Sequence, residues 1–429
     1  MSSLLRTVAP PISTLQQGNA MTSMTRRTFA LSCLFAAGAL ALPSYVSAQV
    51  SSTRIKVGVL TDMSGFASDA NGKGSVVAAQ LAAEEFASQL PGKTIEVIFA
   101  DHQNKPDIGA GIARRWIENE NVNAILDVPV SSVALAVSEV TRNSNALFIG
   151  SGPGSTELTG SKCSPHTIHW TYDTWSLARG TAKAVTEAGG KRWFFLTADY
   201  AFGHALERDA SELVKANGGT VVGSVRHPIN SSDFSSFLLQ AQASNADVIA
   251  LANAVGDTIN SIKQAAEFNI TGGKQKLVAL LLQLTDVHSL GLKAAQGLYL
   301  TQPFYWDMNA GTRAFANRFV AKMDGRRPTD VQAGVYSSLL HYLKAVKMTE
   351  STNADTVVAA MKDMPTDDPL FGRGSVRKDG RVIHDMYVMR VKSPAESKGP
   401  WDYFERVSTI PAAEAFRPEG QGGCPLVKE

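Results

Sequence analysis

From residue 53 the chain alternates short apolar runs with amphipathic stretches, and this rhythm constrains the fold more than any other feature. Ile55–Leu60 (IKVGVL) reads as a strand and residues 74–89 (GSVVAAQLAAEEFASQ) as a helix. Ile95–Ala100 is a second strand, and Pro106–Asn119 a helix opened by its proline. Residues 124–128, 133–144 and 146–150 continue the series. Strands interleaved with helices of this length imply βαβ units and a parallel sheet. After Thr167–Tyr172 the pattern restarts, with helices at 176–188, 203–217, 233–243 and 256–268, and strands at 192–197, 221–225, 248–252 and 276–282. About nine such units exceed one ordinary doubly wound sheet, so two sheets are expected. Past Leu298 come helices at 311–323, 333–349 and 354–364 and late strands at 374–376 and 385–392. The tail from Ser393 is rich in turn formers. With no long linker and a C-terminal portion that returns to both halves, the expected fold class is α/β: two Rossmann-like lobes, each around a parallel central sheet.

The segment before this pattern reads as an export leader spanning residues 1–48. Arg26 and Arg27 supply a basic start, residues 29–42 an apolar run too short to span a bilayer, and Val46-Ser47-Ala48 a cleavage signal. Thr25-Arg26-Arg27-Thr28-Phe29 also fits a twin-arginine signal, leaving both export routes open, and Met21 or Met24 is a candidate start. Cys33 follows Arg27 too closely to be a lipobox cysteine. Without the leader, the 41 Lys and Arg fall by three against an unchanged 39 Asp and Glu, a net charge of −1. Such a surface attracts neither nucleic acid nor an anionic membrane. Two cysteines remain, Cys163 and Cys424. In an exported chain they suggest one disulfide, the alternative being two unrelated thiols.

Catalytic and cofactor motifs are weak. Gly150-Ser-Gly-Pro-Gly-Ser155 follows a strand, but the third glycine of a dinucleotide fingerprint is replaced by Ser155 and no long helix follows. A backbone loop lining a ligand cleft fits better. His166 and His169 lie three apart on a strand and point to opposite faces, and His204 with Glu207 lacks a third ligand, so neither a metal nor a cofactor is expected. The stronger signal is Ser131-Ser132, between a strand end and a helix start. Serines there cap the helix, and the place suits an anion.

These residues resemble the type I periplasmic binding proteins of the leucine/isoleucine/valine-binding family, over Arg54 to about Val391. The likeness rests on IKVGVLTDMSG, DHQNKP, SSVALAVSEV, SGPGSTELTG and TADYAFGHAL in that order along the chain. It implies a periplasmic protein, not an enzyme, that closes two lobes on a small ligand and passes it to an inner-membrane ABC permease and its ATPase. The implied crossings fall near Tyr172, Pro303 and Thr366, giving one lobe of 53–172 with 303–366 and another of 173–302 with 367–429. By position, Ser131 with the Ser132 and Val133 amides would hold a carboxylate, completed by Gly152 and Gly154. Phe66, Phe202 and Tyr305 would sandwich a ring, Asn253 lies on the opposing loop, and Gln283 would bond a hydroxyl or keto oxygen. Gly154 replaces a threonine and Gln283 a glutamate that recognise an α-ammonium group in the amino-acid binders. SGPGSTELTG, ANAVGDTINSIKQAAEF and PFYWDMN are similar to exported relatives that take up aromatic acids. The expected ligand is therefore a small carboxylate on an aromatic body, with a branched-chain amino acid as the alternative. An exported hydrolase or a sensor input domain would require features not found here.

Overall fold

The computed structural model describes residues 53–270 and 273–427. The expected leader and its cleavage after Ala48 lie outside the described residues. Five strands, β1 (Arg54–Thr61), β2 (Thr94–Asp101), β3 (Ala124–Asp127), β4 (Leu147–Gly150) and β5 (Thr167–His169), pair in the order β2-β1-β3-β4-β5, all parallel. The connecting helices are α1 (Gly72–Phe86), α2 (Pro106–Glu120) and α3 (Ser131–Thr141). Both faces of this sheet are covered, which is why its strands are nearly continuous apolar runs. Ile55, Val57, Val59, Ala124 and Leu126 point into one core with α1, while Leu60 and Ile125 point into another with Trp116 of α2 and Val133 of α3.

The second sheet follows the same rule. After α4 (Thr174–Glu187) come β6 (Arg192–Ala198), α5 (Ala201–Ala216), β7 (Thr220–His227), α6 (Ser235–Ala243), β8 (Val248–Ala252), α7 (Val255–Glu267) and β9 (Lys276–Ala279). The strand order is β7-β6-β8-β9, again parallel. Along β6, Trp193 and Phe195 enter one core and Phe194 and Leu196 the other, the period of two expected of a strand buried on both faces. The apolar run expected as one strand over 276–282 pairs only as far as Ala279; it then turns into α8 (Leu284–Leu290) and α9 (Leu292–Ala295).

The chain next forms β10 (Tyr299–Gln302) and returns to the first core. There α10 (Ala310–Val320), α11 (Asp330–Thr349) and α12 (Ala354–Asp363) bury Phe315, Phe319, Tyr342 and Met361 beside β1 and β3. A small antiparallel sheet of β11 (Thr366–Asp368), β12 (Gly372–Val376) and β13 (Val382–Ile383) follows. Leu370, Phe371, Val376 and Val382 still pack on the first core, and Ile383 and Met386 then pack on the second. The chain therefore stays with the first core beyond Thr366, where the last crossing was expected. The tail is also more ordered than its turn formers suggest. β14 (Met386–Val391) pairs antiparallel with β10 and with β15 (Phe404–Ile410), and α13 (Ala412–Ala415) leads to Cys424, which is bonded to Cys163 across 261 residues.

One buried cation pins the segment after β5 to the start of β13. Arg381, fully buried, donates to the carbonyls of Trp170, Tyr172 and Val382, with Asp173 3.8 Å away. No described helix is long and apolar enough to cross a membrane.

Candidate functional site

In an open α/β sheet, ligands bind beyond the carboxyl ends of the strands, where the strand order reverses. The first sheet reverses between β1 and β3, the second between β6 and β8. One small cleft is walled by the loops at these strand ends and their neighbours. Phe66, Ala67, Ala70 and Asn71 follow β1, Pro129 follows β3, Gly152 and Gly154 follow β4, and Tyr172 follows β5. From the second sheet, Tyr200 and Phe202 follow β6, Ala254 and Val255 follow β8, and Leu281 and Gln283 follow β9. Every lining residue thus comes from the carboxyl end of a parallel strand.

The wall is aromatic and without a cation. Phe66, Tyr172, Tyr200 and Phe202 contribute rings, and no Lys, Arg or His lines the space. Phe202 lies so close to Gly154 that a Cβ there would sit 2.6 Å from its Cε2. The space measures about 30 Å³, room for a water or two and far below the ~150 Å³ that takes a benzene ring. A ring would enter only as the walls part. The site also stores backbone strain. Asp127 and Val128 at the end of β3 have φ of 77° and 52°, and Val255 at the start of α7 has φ of 50°. For β-branched valines this left-handed region is a true outlier, and such residues gather where a ligand is held.

Behind the wall sits buried acid. Asp127, fully buried, accepts from Thr61 Oγ1 at 2.7 Å and Asn71 Nδ2 at 2.8 Å; burial pushes its carboxyl up to about 6. Asp257, below the opposite loop, accepts the Asn230 and Ser231 amides and is likewise pushed by burial to about 6. Asp286 and Asp330 are both pushed by burial to about 7.

Five of the residues expected from the sequence stand on the cleft wall: Phe66, Gly152, Gly154, Phe202 and Gln283. The others do not. Ser131 was expected to cap α3, but the cap position is Val130 and no side chain caps this helix. Ser131 begins the helix itself, and its Oγ instead accepts the Gly154 and Ser155 amides at 3.3 and 3.2 Å, just behind the lining loop. Ser132 sits beside it at the same helix start, and the side chain of Val133 packs into the core against Gly109. Asn253 is fully buried, with its amide bonded to His227, Ser261 and Thr258. Tyr305 cannot stack on a ligand from its position: its hydroxyl donates to the Trp401 carbonyl and accepts the Tyr403 amide, deep in the second core. Tyr172, Tyr200, Asn71 and Leu281 were missed. Tyr200 lies within TADYAFGHAL, two residues beyond a strand end, and that position was its available signal.

A larger space of about 250 Å³ lies elsewhere, near the disulfide, lined among others by Glu157, Arg208, Arg377 and Arg417. Its charges are already satisfied. Arg208 donates to Glu157 and Asp209, Arg417 to Asp209 and Glu212, and Arg377 to Asp379, at 2.6–3.1 Å. Thr156 and Thr174 also donate their hydroxyls to Asp209. This is a paired structural seam, so we take the smaller cleft as the site despite its volume.

Two doubly wound lobes that meet at their strand ends around a cleft define a type I binding-protein fold. The profile of the periplasmic binding protein family matches residues 54–400, and the chain belongs to that family. A periplasmic binding protein from Burkholderia mallei has 48% sequence identity, with 88% of this chain and 100% of that chain covered and a TM-score of 0.85. A branched chain amino acid ABC transporter periplasmic ligand-binding protein from Burkholderia xenovorans LB400 has 39% identity, with 87% and 99% covered and a TM-score of 0.78. The Leu/Ile/Val-binding protein homolog 4 of Brucella abortus (strain 2308) is 27% identical over 325 residues, 72% of this chain and 76% of its own.

Proposed function

We propose that this protein works in the periplasm, captures a small carboxylate with an aromatic body between its lobes, and delivers it to an ABC permease and ATPase in the inner membrane. The observation that carries the ligand class is the cleft wall, four aromatic rings with Leu281 and Val255 and no cation. A flat ring stacks on such a wall, and its carboxylate must then be held by neutral donors. The Gly154 and Ser155 amides, which converge on Ser131 Oγ, supply a ready-made anion nest. On ligand entry Ser131 turns its hydroxyl to the carboxylate and the freed amides of Gly154 and the α3 start join it. Phe66 and Phe202 cover the ring from opposite sides, and hinge motion opens the space.

A second reading, a branched-chain amino-acid receptor, is favoured by what the Burkholderia xenovorans and Brucella relatives are described as binding. A thermal-shift screen of residues 49–429 against benzoates, aliphatic acids and amino acids separates the two. Ligand at a hundredfold excess over Kd stabilises the folded state by about 2.7 kcal/mol. Aromatic acids raising Tm while leucine does not supports the first reading, and the reverse outcome overturns it.

A further inference from the structure

The loop after β1 belongs to the first lobe by chain and to the second by packing. Ala67 and Ala70 are buried in the core of Trp193 and Phe195, and Phe66 packs both on that core and on the core of Leu60 and Trp116. Phe66 also reaches the start of α7: a Cβ on Gly256 would lie 3.8 Å from the Phe66 Cβ. These contacts cross from one lobe to the other, so they break when the lobes part. One residue knots the loop. Asp62, fully buried, accepts the Ser64 and Gly65 amides on Oδ1 at 3.3 and 2.6 Å and the Ala67 amide on Oδ2 at 2.9 Å. Asn104, from the loop after β2, donates its Nδ2 to the same Oδ2 at 3.1 Å. Asp101 braces the loop from the end of β2, accepting the Met63 amide at 3.3 Å and the Ser64 hydroxyl at 2.6 Å. Gly65 completes the knot, since a Cβ there would lie 2.1 Å from Asn104 Nδ2.

Phe66 sits between the two amides, those of Gly65 and Ala67, that Asp62 holds at the shortest distances. We propose that Asp62 is a positioning residue: it folds residues 62–67 into a preformed plug whose Phe66 meets Gly256 and latches the lobes closed. The proposal rests on the cleft being the ligand site, and adds what keeps that cleft shut. Donors converging on one buried side chain leave the loop a single shape, so little chain entropy is lost at each closure. A ligand between the lobes leaves only after they part, so the latch is felt in the dissociation rate more than in the association rate. Affinity falls in proportion to any drop in the closed fraction. Gly256 does not line the cleft, so a change there acts on the latch without touching the ligand.

The test combines calorimetry with stopped-flow binding, using whichever of benzoate, 4-hydroxybenzoate and leucine the wild type binds most tightly. Asp62→Asn turns one acceptor into a donor that faces an N–H group, and Kd should rise about tenfold. Phe66→Ala should weaken binding by at least as much. In the double variant the losses should not add: Kd should stay within about twofold of Phe66→Ala alone, because Asp62 acts through Phe66. An acid with a merely structural role would give additive losses. Gly256→Leu drives a side chain into the latch, so the dissociation rate should rise about tenfold while the association rate barely changes. Its Tm without ligand should not fall, since leucine favours a helix more than glycine does. If Asp62→Asn does not fold, Gly256→Leu carries the test alone. Additive losses, or a dissociation rate unmoved by Gly256→Leu, would overturn the inference and leave the cleft reading intact. Binding of none of the three probes by the wild type would overturn both.

Discussion

The aromatic cleft and the charged seam near the disulfide differ in kind, and the smaller of the two is the better candidate for a receptor. The seam near the disulfide has about eight times the volume of the cleft, roughly 250 against 30 Å³. Among the described residues, no atom lining the seam is buried without a partner, whereas the cleft has Gln283 Oε1. A paired charge network has little left to offer a ligand and serves to hold segments together. A site for a ligand keeps an unmet hydrogen bond, a strained backbone and a wall shaped to one kind of molecule. Unsatisfied valence, more than empty volume, separates the two.

If the regions divide their work in this way, damage to the seam should reduce stability and damage to the cleft should reduce affinity. The largest effect is expected from replacing Cys163 and Cys424 by serine. The bond closes a 261-residue loop and ties the tail beside Arg417, so the loss should lie near the upper end of about 2–5 kcal/mol. Chemical denaturation measures it, and affinity for the ligand should change less than twofold. A large loss of affinity with little loss of stability would dissolve the comparison.

The next effect concerns the buried acids of the cleft. Asp286 and Asp330 are pushed by burial to about 7, against about 3.9 in an unfolded chain. Between those values the folded protein keeps protons that the unfolded chain has lost, so each acid destabilises the fold progressively as pH rises through that window. Buried histidines such as His102, His341 and His384, each lowered by burial to about 4, act in the opposite direction, so the raw pH profile is not diagnostic. The difference between Asp286→Asn and wild type isolates the acid. It should move in the variant's favour from pH 5 to pH 8 by on the order of 3 kcal/mol. A difference independent of pH would mean that Asp286 is ionised throughout.

Ser131→Ala sharpens the comparison from the cleft side. Removal of a hydroxyl that bonds a charged ligand group costs about 1.5–3 kcal/mol, so Kd should rise roughly tenfold or more. Thermal stability should fall little, because the Gly154 and Ser155 amides lose a partner that a ligand or water can replace. The smallest effect is expected from Gly154→Ala. Its Cβ would press on Phe202, whose ring can shift, so a loss of about 1 kcal/mol in binding is expected from calorimetry.

Much of the fold was legible in the sequence because both parallel sheets are buried on both faces, and strands such as β4 and β8 are uninterrupted apolar runs. β15 escaped notice for the opposite reason: five of its seven residues are exposed, and FERVSTI has no buried side to give a period. The boundary of β9 failed because Leu280–Leu282 continue its apolar run into a turn, where burial without pairing looks the same as a strand. At the site, strand ends were legible and side-chain direction was not. Gly152, Gly154, Phe66, Phe202 and Gln283 reach the wall because they follow strands. Tyr305 turns away because its hydroxyl is taken by Trp401 and Tyr403, in a tail whose ordered structure no local pattern announced.

Hydrogen exchange with and without ligand, read by mass spectrometry on residues 49–429, is the most direct test of the cleft as the receptor. The probe should be the tightest binder among benzoate, 4-hydroxybenzoate and leucine. Protection should appear together in the strand-end loops at 65–71, 129–132, 152–155, 200–203, 254–256 and 281–284, with the seam segments 157–161, 377–379 and 417–422 unchanged. Protection confined to the seam segments, with the strand-end loops exchanging as before, would contradict the account.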